Sequence, residues 1–200
     1  MKFYSFVHKC VSGIFRKVYC RVTIVGAENV PADGGIVICA NHISNLDPFI
    51  IGACFKRQVR YMAKSELFKI PLVGSVVKAF GAFSVDRKSS DVGAIKTGIQ
   101  LVVGGELLGI FPQGTRYPKT DPRETKIRHG VGMIALKTKS NILPVAISTK
   151  KRKISPFCQV TLIIGEPICY DSLSVTAENL DEYKRVTQVA FDIVCNMLEE

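Results

Sequence analysis

The chain predicts an α/β domain built on a mainly parallel sheet flanked by helices, and three observations carry that reading. Seven short runs rich in branched apolar residues fall between residues 21 and 165, helical stretches separate several of them, and 200 residues suffice for one sizeable core. No repeat, low-complexity tract or linker divides the sequence.

The elements follow in order. The opening "MKFYSFVHKCVSGIFRKVYCRV" sets Phe3, Phe6, Val7, Ile14 and Val18 at helical spacing among Lys2, Lys9, Arg16, Lys17 and Arg21, with no acidic residue. Lys9 breaks the apolar centre that a secretory signal needs, and no stretch reaches the roughly 20 apolar residues of a spanning helix. Residues 1–20 therefore predict a basic amphipathic helix, resting on an anionic membrane surface or, as the alternative, packed on its own domain, and residues 21–200 the globular domain. The expected placement is peripheral, on the cytoplasmic face of a membrane.

Strands are expected at "RVTIVG", "GIVICAN", "VRYMAK", "GAFSVD", "LLGIFP", "ILPVAIS" and "CQVTLIIG". Between them, "SELFKIPLVGSVVKAF" predicts a helix capped by Ser65 and broken near Pro71 and Gly74. "SSDVGAIKTGIQLVVGG" predicts another, capped by Ser89 or Ser90 and ended by Gly104, and "GVGMIALKTKS" a third with lysines at its C-terminus. Thr176 to Glu199 is the longest candidate, with Leu180, Tyr183, Val186, Ala190, Ile193 and Met197 along one side.

A formal charge of +10 calls for an anionic partner. Nucleic acid is not expected: the "KKRK" run at 150–153 has no aromatic cluster beside it, and the chain has no tryptophan and no nucleic-acid motif. The seven cysteines are dispersed through apolar runs without metal-ligand spacing, as reduced thiols would be. No metal or cofactor is expected.

The chemistry concentrates in "CANHISNLDP", residues 39–48. His42 and Asp47 stand five positions apart, a spacing that rotates side chains by roughly 140° on a helix and puts them on opposite faces of a strand. They meet only across a turn. Ser44 and Asn45 are turn residues, and Pro48 suits the start of a helix, so Asp47 can fold back towards His42. A carboxylate on one imidazole nitrogen fixes the tautomer and leaves the other to take a proton from an alcohol. Asp47 could equally serve as a helix cap, and His42 as a structural histidine. Two further strands deliver arginines to the loops after them: "GAFSVDR" delivers Arg87, and "GIFPQGTR" delivers Arg116. A guanidinium matches phosphate through its planar fork, and Gly114 lets backbone amides approach an anion. No G-x-S-x-G elbow is present, and Cys39, the nearest covalent rival, sits in a run that reads as core packing.

With those residues in place, the chain resembles the 1-acylglycerol-3-phosphate (lysophosphatidic acid) acyltransferase family of the glycerolipid acyltransferases. "NHISNLD", "GAFSVDR", "FPQGTR" and "ILPVAI" match its four sequence blocks in order. The resemblance implies transfer of a fatty acyl group from acyl-CoA or acyl carrier protein, used as substrate, to the secondary hydroxyl of a lysophospholipid acceptor, giving phosphatidate from lysophosphatidate. It makes His42 and Asp47 the catalytic pair and Arg87, Gln113, Gly114, Thr115 and Arg116 substrate-binding, with Lys64 of "YMAKSELF" as a further candidate. Oxyanion donors are expected near Gly114 or at the helix begun by Pro48. Other lysolipids or glycerol 3-phosphate are the alternative acceptors, and a non-catalytic peripheral membrane protein is the alternative role. Two positions depart from the family pattern: Gln113 replaces the usual glutamate, losing a charge, and Tyr117 stands where serine is frequent.

Overall fold

Every one of the seven apolar runs forms a strand, and all seven join one sheet. The computed structural model describes residues 20–85 and 92–199. The helix expected over residues 1–20 lies outside them, except that Cys20 opens the first strand; the caps expected at Ser89 and Ser90 and the arginine at 87 also lie outside. The strands are β1 (Cys20–Val25), β2 (Ile36–Ala40), β3 (Val59–Lys64), β4 (Ala82–Val85), β5 (Leu107–Ile110), β6 (Ile142–Ser148) and β7 (Cys158–Ile164). Their order is β1-β7-β6-β2-β5-β3-β4.

Strands β2 to β6 run parallel, β7 is antiparallel to β6, and β1 runs parallel to β7. One rim of the sheet therefore gathers the C-terminal ends of β2 to β6 with the N-terminal ends of β1 and β7. Ligands of open α/β sheets bind at the carboxyl ends of the strands, so this rim is where a site is expected.

The unbroken apolar character of "IVICA" follows from burial on both sides. Ile36, Ile38 and Ala40 enter one core layer with Leu107, Leu143 and Val145, while Val37 and Cys39 enter the other with Leu108, Ile142 and Ala146. Pro144 stands at the limit of the pairing between β6 and β7: its carbonyl accepts from Gly165 N–H at 2.9 Å, just beyond Ile164 where β7 ends, and without an N–H it returns no bond there.

Helices α1 (Asp47–Cys54), α2 (Ser65–Lys69), α3 (Val73–Ala79), α4 (Val92–Val103), α5 (Gly130–Thr138) and α6 (Leu180–Asn196) complete the order. Ile50 and Ile51 of α1 pack into the first layer; α4, α5 and α6 cover the second. The expected break between α2 and α3 is present, but Ser65 is the first helical residue and Lys64 holds the capping position. The last helix starts later than Thr176 because Asn179 caps it, its Oδ1 accepting from Glu182 N–H at 3.0 Å. Leu180, placed on the core side by the sequence, is exposed; the buried stripe includes Tyr183, Val186, Ala190, Phe191 and Val194.

Helices α5 and α6 meet at Gly132, whose N–H donates to Thr187 Oγ1 at 2.8 Å while Thr187 donates to Tyr183 O at 2.9 Å. A Cβ at Gly132 would lie 2.2 Å from that carbonyl. Gly132→Ala is therefore expected to force the helices apart and lower unfolding free energy by about 1–3 kcal/mol, read as a lower urea midpoint.

Candidate active site

Strand β2 ends against β6, and a single side chain fixes the level at which it ends. Buried Asn41 donates through Nδ2 to Ile147 O at 3.1 Å and accepts from Ile147 N–H at 2.7 Å. The chain then turns: Ser44 Oγ accepts from Leu46 N–H at 3.2 Å, and Asp47 N–H donates to Ser44 O at 3.3 Å. This reversal returns Asp47 to the residues just before it. His42 Nδ1–H donates to Asp47 Oδ2 at 2.7 Å, and the same oxygen accepts from Ile43 N–H at 2.7 Å and Ser44 N–H at 2.8 Å.

Asp47 thus does not cap its own helix. The capping position of α1 belongs to Leu46, which makes no side-chain cap bond, and the carboxylate turns back into the preceding loop. Its side chain is wholly buried. Burial pushes the carboxyl above its ordinary range, opposed by the His42 hydrogen bond and charge and then by the two amides. With Nδ1–H committed to Asp47, neutral His42 has Nε2 as its proton acceptor, and that nitrogen has no partner among the described residues. The imidazole keeps 14% exposure, enough to be reached from solvent.

The ring plane is set by neighbours that sequence spacing does not connect. Phe111 stacks on His42 with centroids 4.1 Å apart and planes 17° apart, and Tyr61 lies over Phe111 at 6.0 Å and 11°. Tyr61 of β3 faces Gly109 of β5 in the sheet, where a Cβ would lie 2.2 Å from the tyrosine ring. The missing side chain makes room for the stack.

Gln113 lies behind His42. Its Oε1 accepts from His42 backbone N–H at 2.7 Å, and its Nε2 donates to Thr125 Oγ1 at 2.8 Å, whose hydroxyl donates to Pro122 O at 2.6 Å. Both ends of this buried amide are spent on protein groups, so it positions the histidine. Tyr117 N–H donates to His42 O at 2.9 Å and closes the loop after β5 onto the same residue. Asn41, Phe111 and Thr125 are site residues that the sequence reading did not name. Asn41 directly precedes His42 at a strand end and Phe111 directly precedes "PQGTR", but neither position reveals its lateral contact.

Gly114 takes a left-handed conformation at φ 67°, and its N–H donates to Phe111 O at 3.0 Å, so that amide is not an oxyanion donor. A Cβ there would meet the Arg128 side chain at 3.0 Å. Thr115 and Arg116 are exposed on the loop that carries Tyr117, and Arg116 has no ion pair among the described residues. Lys64 is exposed at the C-terminal end of β3, on the same rim. Cys39 faces the helical layer and is wholly buried, and burial raises its thiol far from the thiolate form a nucleophile needs.

Asp47→Asn tests the pair by two readouts. The amide no longer enforces the tautomer, so any turnover that draws on the His42 ring as a base is expected to fall by about 10⁴. A carboxyl whose folded pKa is raised contributes stability that is complete below its unfolded value of 3.8 and lost as pH rises through the folded value. The asparagine variant lacks that loss. Its denaturant midpoint is expected to gain on the wild type as pH rises above 3.8 and through the folded value.

A family model described as Acyltransferase matches residues 21–148, more than half of the chain. The 1-acyl-sn-glycerol-3-phosphate acyltransferase of Bacillus subtilis is 37% identical over 150 residues, 74% of this chain and 73% of that protein. The protein of that name from Borreliella burgdorferi is 36% identical over 129 residues, covering 64% of this chain and 51% of its own length. Among solved structures, the 1-acyl-sn-glycerophosphate acyltransferase of Thermotoga maritima shares the fold, with a TM-score of 0.72 over 98% of this chain and 80% of that one at 24% identity. The chain is thus a member of the acyltransferase family, and within it of the 1-acyl-sn-glycerol-3-phosphate acyltransferases.

Proposed function

We propose that this chain transfers a fatty acyl group from a thioester, acyl-CoA or acyl carrier protein, to the free secondary hydroxyl of lysophosphatidate, with His42 as general base and no acyl-enzyme. The observation that carries the reading is the hydrogen bond from His42 Nδ1–H to Asp47, which leaves Nε2 as the acceptor at the rim of the sheet. In this scheme Nε2 takes the hydroxyl proton as the alcohol oxygen attacks the thioester carbonyl. The new C–O bond forms, the C–S bond breaks, and the imidazolium returns its proton to the departing sulfur. Asp47 stabilises the imidazolium between those two events.

Arg116 is assigned to the acceptor phosphate, together with Arg87, which lies outside the described residues, and Lys64. Exposure without an ion pair among the described residues leaves the Arg116 guanidinium available for the bidentate contact that phosphate favours. Attachment is peripheral, on the cytoplasmic face of a membrane, through the basic amphipathic residues 1–20. No helix among the described residues is long and apolar enough to cross a bilayer.

The test is thiol release and phosphatidate formation from lysophosphatidate, run with each thioester and with a panel of other lysolipids and glycerol 3-phosphate. His42→Ala is expected to lower turnover by about 10²–10⁴ with the fold intact by circular dichroism. Unchanged turnover removes the pair from the mechanism. Arg116→Ala is expected to raise the acceptor KM roughly tenfold while sparing the donor KM, and the reverse pattern reassigns the arginine to the donor.

A further inference from the structure

The reaction makes no use of the loop between β6 and β7, although it leaves the sheet at the rim that holds His42. Asn41 and Ile147 share two hydrogen bonds, and β6 ends one residue later at Ser148. The loop is tied to the site from the other side as well: Lys119 N–H donates to Arg152 O at 3.0 Å, two residues from the Tyr117 amide bonded to His42 O.

Two turns shape it. Arg152 N–H donates to Thr149 O at 3.0 Å, and Cys158 N–H donates to Ser155 O at 3.2 Å. Between them Ile154 is buried in the first core layer, so the loop is anchored at its middle and both tips project from a held base. The first tip carries Lys150, Lys151, Arg152 and Lys153, all exposed. Of these, Arg152 is paired with Asp121 at 2.8 Å, and the three lysines have no acidic partner among the described residues. The second tip carries Phe157, 82% exposed, at φ 61°. A bulky residue in the left-handed region with its ring in solvent gains nothing from its own domain.

We propose that this loop is a second membrane contact, in which Lys150, Lys151 and Lys153 meet anionic lipid headgroups and Phe157 enters the interfacial layer beside them, so that the rim holding His42 faces the bilayer. Cations flanking one projecting aromatic match the two forces that hold peripheral proteins to anionic membranes. Charge alone would also fit an acidic protein surface, but a solvent-directed phenyl ring beside the charges favours lipid. The chain supplies a further argument. Cys158, which follows Phe157, lies with its Sγ 3.4 Å from that of Cys20, the residue by which the basic amphipathic sequence enters the sheet. The loop and the first described residue of the chain therefore meet the sheet side by side. The proposal takes only its choice of a lipid partner from the membrane reading above, and partition onto vesicles is measured without turnover, so failure of the loop and failure of the acyl-transfer chemistry are separable.

The experiment compares the full chain with K150E/K151E/K153E and with Phe157→Asn, a residue that tolerates the left-handed conformation. Sedimentation with phosphatidylglycerol vesicles and with phosphatidylcholine vesicles reads the partition coefficient. The charge variant is expected to lose at least about tenfold on the anionic vesicles, with the difference vanishing at high salt. Phe157→Asn is expected to lose about tenfold on the anionic vesicles. Both should retain turnover on a short-chain, water-soluble lysophosphatidate, which also shows that they fold. Wild-type partition of both variants overturns the proposal. So does a loss confined to turnover with acyl carrier protein while vesicle binding stays intact, which would assign the loop to an acidic protein.

Discussion

The site depends on one buried oxygen. Asp47 Oδ2 gathers the His42 ring and the amides of Ile43 and Ser44, so a single acceptor both shapes the turn and orients the imidazole. Taking a carboxylate out of water is costly, and three short hydrogen bonds offset part of that cost only while the turn is closed. The geometry of the base and the local fold are therefore the same interaction. A side chain at this position that failed to bond the two amides would loosen the chain that carries the histidine.

Around that oxygen the domain supplies fixed walls. Asn41 locks the end of β2 to β6, the Tyr61–Phe111 stack sets the plane of the ring, and Gln113 and Tyr117 hold the histidine backbone from the loop after β5. Four parallel strands, β2, β3, β5 and β6, thus converge on one residue. None of these contacts is a hydrogen bond to Nε2, which leaves that nitrogen without a partner among the described residues while the rest of the residue is held.

The sequence made the strands legible because each is a short branched-apolar run bounded by turn residues, and it made the His42–Asp47 contact legible because only a turn can join that spacing. What stayed hidden is lateral. That β1 pairs with β7 depends on neighbours more than a hundred residues apart, and that β7 reverses against β6 where the other pairings of β6 are parallel is likewise set by no local pattern. The Tyr61–Gly109 contact arises from the register of β3 with β5 and is equally invisible along the chain. The late start of α6 was readable in principle: Asn179 and Glu182 form a cap signal, but the apolar period alone extended the helix to Thr176 and put exposed Leu180 on its inner side. The resemblance makes Gln113 substrate-binding, and no pattern along the chain shows that its amide bonds His42 N–H and Thr125 Oγ1.

That amide has a consequence for the electrostatics of the pocket. An acidic side chain here would set a second anion against the backbone of the residue that must gain and lose a proton, and two like charges in a dry setting raise each other's affinity for protons. Glutamine supplies its oxygen to the His42 N–H and its nitrogen to Thr125, so the scaffold is kept without a second anion. Among the described groups bonded to His42, Asp47 alone carries a formal charge, and the imidazole answers to a single buried counter-ion.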